Sequence, residues 1–182
     1  MRTFNICIAT LILAAGTASL AHAFPKGPHH LQLGLRPTFS TEKYYVRPSL
    51  DLNAVPLVIE VALTRHLGFR ALPIVNLHLN PNEKPQLAHL GAQLQLPIYI
   101  LGSTPKRPYR ALYLAPVLGY SKDHLMKRAT FTGAAELGVS IAPANRLSIN
   151  ISTQLGTTWF HSLQSRPSFH FGVQASVGLW LF

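Results

Sequence analysis

Along most of this chain aliphatic and polar residues take alternate positions. In residues 146–154, Leu147, Ile149 and Ile151 fall on one side of an extended backbone and Ser148, Asn150, Ser152 and Gln154 on the other, because successive side chains of a strand point to opposite faces. The same split sets Leu90, Ala92, Leu94, Leu96, Ile98 and Ile100 against Gly91, Gln93, Gln95 and Tyr99, with Pro97 as an interruption. Phe69, Ala71, Pro73, Val75, Leu77 and Leu79 oppose Arg70, Asn76, His78 and Asn80. Leu57, Ile59, Val61 and Leu63 oppose Glu60 and Thr64, and Phe131, Leu137, Val139 and Ile141 oppose Thr132, Glu136 and Ser140. Residues 109–120 and 169–182 alternate less regularly, yet they sit where the flanking turn signals require strands.

These windows are about ten residues long, the length a tilted strand needs to cross a bilayer. Residues 65–68 and 143–145 read as tight connections, whereas 80–85, 121–128 and 161–168 read as longer polar ones. Nine extended runs follow Leu31, but bacterial membrane barrels close with an even number of strands and keep both termini on the periplasmic side. The expected fold is therefore all-β: an eight-stranded, antiparallel, up-and-down transmembrane β-barrel. In it Leu31 to Ser40 supplies the first spanning strand, and Tyr44 to Asn53 projects above the membrane. The connections at 81–86, 121–128 and 161–168 are then external, and those at 65–68, 102–108 and 143–145 periplasmic.

Composition strengthens this reading. Charged residues are 12% of the chain and hydrophobic ones 48%, against roughly 25% charged in ordinary soluble domains. No segment of the mature chain offers 18 consecutive apolar residues, so a helical span is excluded and a barrel is the remaining way to cross lipid. A soluble lipocalin-like barrel or sandwich would alternate too. Turning the aliphatic set inward, however, would leave Gln, Ser, Asn and Gly outside with few charges to solvate them.

Residues 1–23 carry the zones of a secretory signal: Arg2, an apolar run from Ile6 to Ala15, and Ala21-His22-Ala23 as a small-residue cleavage site. The run is too short for a membrane anchor and is followed by Pro25, Lys26, Gly27 and Pro28. Cleavage is expected after Ala23, leaving residues 24–182 as one barrel domain. The single cysteine, Cys7, lies in the signal, so the mature chain makes no internal disulfide and no thiolate metal site.

The chain ends Gly178-Leu179-Trp180-Leu181-Phe182, and this terminal Phe with Trp180 two residues earlier resembles the assembly signal of bacterial outer-membrane barrels. Farther back the pattern departs, since Gly178, Ser176 and Gln174 share the parity of Phe182. Residues 60–68 (Glu-Val-Ala-Leu-Thr-Arg-His-Leu-Gly), 113–120 (Tyr-Leu-Ala-Pro-Val-Leu-Gly-Tyr) and 136–138 (Glu-Leu-Gly) resemble the ladder of small, uncharacterised outer-membrane β-barrel families of Gram-negative bacteria. That resemblance implies a bacterial outer-membrane location and delivery by the barrel assembly machinery. It implies little about activity.

Candidate chemistry is sparse. Glu60 and Arg70 fall on polar faces of neighbouring strands; if Leu63 pairs with Phe69, Glu60 opposes Leu72 and lies diagonal to Arg70. Glu136 is expected opposite Ser152, near Asn150 and Gln154. Glu60, Arg70 and Glu136 thus read as an interior polar plug, since buried charges need partners; a pore lining is the alternative. His161 and Ser162 are adjacent, whereas the lipid A 3-O-deacylase family places its His and Ser two apart on one face of a strand. Neighbouring residues face opposite sides, so no catalytic residue is assigned, and an acyl hydrolase stays an alternative beside a narrow solute channel.

The histidines His66, His78, His89, His124, His161 and His170 are scattered without carboxylates at ligand spacing, so neither metal nor other cofactor is expected. A net charge of +10 would point to nucleic acid in a cytosolic protein, but export removes that inference. Lys122, Lys127, Arg128 and Arg166 fall in the expected external loops, where lipopolysaccharide phosphates would meet them; Lys106, Arg107 and Arg110 fall at the periplasmic side. The expected protein is a monomer with a structural or surface-interaction role, in contact with outer-membrane lipids and lipopolysaccharide.

Overall fold

The computed structural model describes residues 31–42, 50–64, 66–80, 84–100, 111–143, 146–160 and 167–181. The signal segment 1–23, Tyr44, Lys106, Arg107, Arg110, His161, Ser162, Arg166 and Phe182 lie outside them. Eleven strands form one antiparallel sheet: β1 (Leu31–Leu35), β2 (Thr38–Glu42), β3 (Leu50–Asn53), β4 (Leu57–Ala62), β5 (Gly68–Leu79), β6 (Gln86–Gln95), β7 (Ile98–Tyr99), β8 (Ala111–Asp123), β9 (Arg128–Ile141), β10 (Leu147–Phe160) and β11 (Ser168–Trp180).

The sheet closes because β1 and β2 both pair with β11. They do so in one continuous register, Leu35 opposite Val177 and Thr38 opposite Gln174, so the two form a single stave broken only at Arg36-Pro37. In the same way β6 and β7 form one stave along β8, interrupted at Leu96-Pro97. β3 and β4 form another, between β2 and β1 on one side and β5 on the other. With β5, β8, β9, β10 and β11 the wall therefore has eight staves, as the alternation predicts. The backbone amide of Leu181 donates to the carbonyl of Leu31 at 2.8 Å, locking the two ends of the wall together.

Two of the nine extended runs share one stave, which is how nine becomes eight. Leu50–Asn53 does not project above the wall; it is laddered to β2 and β5 within it. The register along β5 slips by one residue between Asn53 opposite Asn76 and Ile59 opposite Ala71. A one-residue bulge flips the face of every later side chain. Asp51 and Asn53 accordingly point inward from odd positions, while Val58, Glu60 and Ala62 do so from even ones.

Two hairpin registers also differ from expectation by two residues. Glu60 stands directly opposite Arg70, because the ladder begins at Ala62 opposite Gly68 and the amides of Leu63 and Thr64 both donate to the Leu67 carbonyl at 2.9 Å. Glu136 stands opposite Gln154, with Ser152 opposite Gly138, because the ladder begins only at Ile141 and Ile149. Conversely, the expected long loop at 121–128 is a four-residue turn: the ladder runs up to Asp123 opposite Arg128. Asp123 Oδ1 accepts the Met126 amide at 2.9 Å, and Lys127 adopts a left-handed φ of 52°.

The wall is inverted relative to a soluble barrel. Leu33, Leu57, Ile59, Leu94, Leu118, Leu137, Ile151, Leu155, Val177 and Leu179 are exposed, while Gln32, Ser40, Glu60, Arg70, Gln95, Glu136, Ser148, Asn150, Gln154, Gln174 and Ser176 are buried. No helix among the described residues is long and apolar enough to cross a membrane, which says nothing of strands. The chain has the fold of a small outer-membrane-type β-barrel.

Candidate functional site

The lumen holds one continuous polar network. Arg70 donates from Nε to Glu60 Oε2 at 2.9 Å, from Nη1 to Gln95 Oε1 at 3.1 Å and to Glu136 Oε1 at 3.3 Å. Tyr99 donates its hydroxyl to Glu60 Oε1 at 2.6 Å, and Tyr113 donates to Glu136 Oε1 at 2.7 Å. Gln154 Nε2 completes Glu136 at Oε2, 2.8 Å away. The Arg70 guanidinium also lies 5.2 Å from the centre of the Tyr113 ring. The expected plug residues Glu60, Arg70 and Glu136 are thus brought together in fact.

Arg36 is the member that strand reading missed. It donates to Gln95 Oε1 at 3.0 Å and to Ser152 Oγ at 2.9 Å, and it forms a short ion pair with Glu136 Oε1. It shares the inward parity of Gln32, Gly34 and Ser40, which was the available signal. Two guanidiniums face two carboxylates, all four about 1% exposed or less. This balance matters, because a buried charge is tolerated only when paired and hydrogen-bonded. Through these bonds the network ties together seven of the eight staves.

A second interior cluster sits toward the end opposite the barrel's two termini. His78 Nδ1 lies 2.9 Å from Asp51 Oδ1, and His89 Nε2 lies 4.0 Å from Asp51 Oδ2. His89 Nδ1 meets Ser121 Oγ at 3.2 Å, and Ser121 Oγ meets Thr130 Oγ1 at 2.7 Å. Bulge and ladder bring these histidines to a carboxylate that is distant in sequence, so they are not without acidic partners, as their spacing suggested. Ser, His and Asp stand in the order of a nucleophilic relay. The 4.0 Å gap exceeds a hydrogen bond, and Ser121 is 6% exposed and shared with Thr130, so the chain of contacts braces the wall. Among the described residues no group of three His, Cys, Asp or Glu is placed to hold a metal ion.

On the outer surface the basic candidates part company. Lys122 is exposed on β8, not in a loop, and Lys127 is exposed in the turn. Arg128 faces inward from β9, its Nε 3.9 Å from Asp123 Oδ2 and its guanidinium 3.7 Å from the centre of the Phe160 ring. Trp180 is buried on the lumen side with Ser176 and Gln174, so the last stave turns Val173, Val177 and Leu179 outward.

No protein-family model matches the chain, and no curated protein does. Solved structures similar to it in shape include two outer-membrane proteins. The outer membrane protein OprG from Pseudomonas aeruginosa is 10% identical over 87% of this chain and 97% of that one, with a TM-score of 0.46. Ail, the attachment invasion locus protein of Yersinia pestis, is 12% identical over 82% of this chain and 97% of that one, with a TM-score of 0.36.

Proposed function

We propose that this protein is exported by cleavage after Ala23 and resides in the outer membrane of a Gram-negative bacterium, as a monomeric barrel with a structural or surface-interaction role. One observation carries the reading: a closed wall with aliphatic side chains outside and ion-paired polar side chains inside. Lipid is the solvent that rewards that arrangement, because a closed barrel satisfies every ladder hydrogen bond internally. Outer-membrane lipids and lipopolysaccharide are then its contacts, with Lys122, Lys127 and Arg166 as basic candidates. Trp180 and Phe182 would serve the assembly machinery during insertion.

Cell fractionation with unboiled and boiled gel samples tests this. The protein is expected with the outer membrane and with a mobility that changes on boiling; recovery as a freely dissolved periplasmic protein would sink the proposal. An eight-stave lumen is only wide enough for side chains to fill, so a structural role is favoured over a solute channel. An acyl hydrolase would alter lipid A on expression, and unaltered lipid A mass spectra are expected.

A further inference from the structure

The ladder lines up a row of aromatic rings beneath Lys122 on the outer wall. Tyr120 stands opposite Phe131, and Phe131 opposite Trp159, so three outward rings cross β8, β9 and β10 side by side. Tyr120 is 64% exposed, Phe131 45% and Trp159 43%, and the Phe131 and Trp159 centroids are 5.8 Å apart. The Trp159 ring lies over Gly133, where an added Cβ would come within 2.9 Å of it. Lys122 is the next outward residue beyond Tyr120 and stands opposite Ala129, which is too small to cover it. Among the described outward-facing residues of these three strands none is acidic: Asp123 and Glu136 both point into the lumen.

We propose that this patch docks the bis-phosphorylated glycolipid of the outer leaflet, with the Lys122 ammonium on a glucosamine phosphate and the Tyr120–Phe131–Trp159 row against the sugar and the first carbons of its acyl chains. The inference rests on the outer-membrane reading above. Amphipathic aromatic rings settle at the junction between headgroup and hydrocarbon, and an ammonium just beyond them meets phosphate in a charge-assisted hydrogen bond. Two strand spacings make the row about 10 Å wide, a platform for a disaccharide and wider than a single phosphodiester needs. The patch lies at the end opposite the barrel's termini, which in such barrels is the outer-leaflet end. Arg128, turned toward Asp123 and Phe160, takes no part.

The test folds the mature chain into phosphatidylethanolamine–phosphatidylglycerol vesicles containing hexa-acyl lipid A, either diphosphorylated or with both phosphates removed. The temperature at which half the protein loses its folded gel mobility is then read. Diphosphorylated lipid A is expected to raise that midpoint by about 4 °C over the dephosphorylated form. Lys122→Gln and Trp159→Leu are each expected to lose at least half of the rise, measured within each variant so that a change in baseline stability cancels. Arg146→Gln, exposed at the end of the wall nearest the termini, is expected to keep it. Equal midpoints with both lipids, an undiminished rise in Lys122→Gln, or the same rise from extra phosphatidylglycerol alone would each overturn the docking site while leaving the barrel reading intact. A chain that shows no folded mobility in any vesicle would overturn both.

Discussion

Glu136 draws donors from four different staves: Arg36, Arg70, Tyr113 and Gln154. Removing it leaves two guanidiniums facing each other in the lumen, so Glu136→Ala is expected to cost about 3–5 kcal/mol. Urea titration in vesicles, followed by loss of folded gel mobility, measures this; a variant as stable as the parent would show that the network carries no weight. Gly138 illustrates a subtler dependence. A Cβ there would come within 2.5 Å of the Tyr113 ring and hydroxyl, so Gly138→Ala is expected to push that ring off Glu136 and destabilise by about 1–3 kcal/mol, which the same titration reads. Glu60, Arg70 and Glu136 were legible as interior residues because each interrupts an aliphatic alternation with a charge. Arg36 carried the parity of an interior residue too, but its pairing was not legible, since its partners Gln95, Glu136 and Ser152 lie 59 to 116 residues away and only barrel closure delivers them.

Strands are where local reading was strongest, and where the second stave misled it the cause is clear. The long staves β9 and β10 alternate with period two, and their faces follow directly. The second stave hides its continuity, because the bulge at residues 54–56 reverses parity and makes one stave look like two runs. Asn53 mends that bulge: its Nδ2 donates to the Pro73 carbonyl at 2.9 Å, and its Oδ1 accepts the amides of Val55 at 3.1 Å and Val75 at 3.3 Å. Asn53→Ala leaves those backbone groups without their side-chain partner and is expected to destabilise the barrel by about 1–3 kcal/mol. Amide exchange is expected to quicken at Val55 and Val75 before any change along β9 and β10. Turn lengths were also poorly legible. The polar composition of residues 121–128 suggested a loop, but Asp123 caps a tight turn and carries the strands to its edge.

For the whole molecule, the exposed aliphatic belt and the neutralised lumen together predict electrical silence. Planar bilayers holding the parent protein are expected to show no sustained conductance, whereas Arg36→Ala combined with Glu136→Ala, which removes one matched pair, is expected to admit small ion currents. Silence in the double variant while it retains its folded mobility would mean that the remaining side chains close the lumen without the pair. What composition disclosed at this scale was the solvent, through few charges and many aliphatic residues; it disclosed no reaction. The hydrogen bond from Leu181 to Leu31 carries a topological corollary. Physically the wall is a ring without a first or last member, so a circular permutant joined across that bond and reopened between Asp123 and Arg128 keeps every neighbour each stave now has, and it is expected to regain the parent's boiling-sensitive mobility.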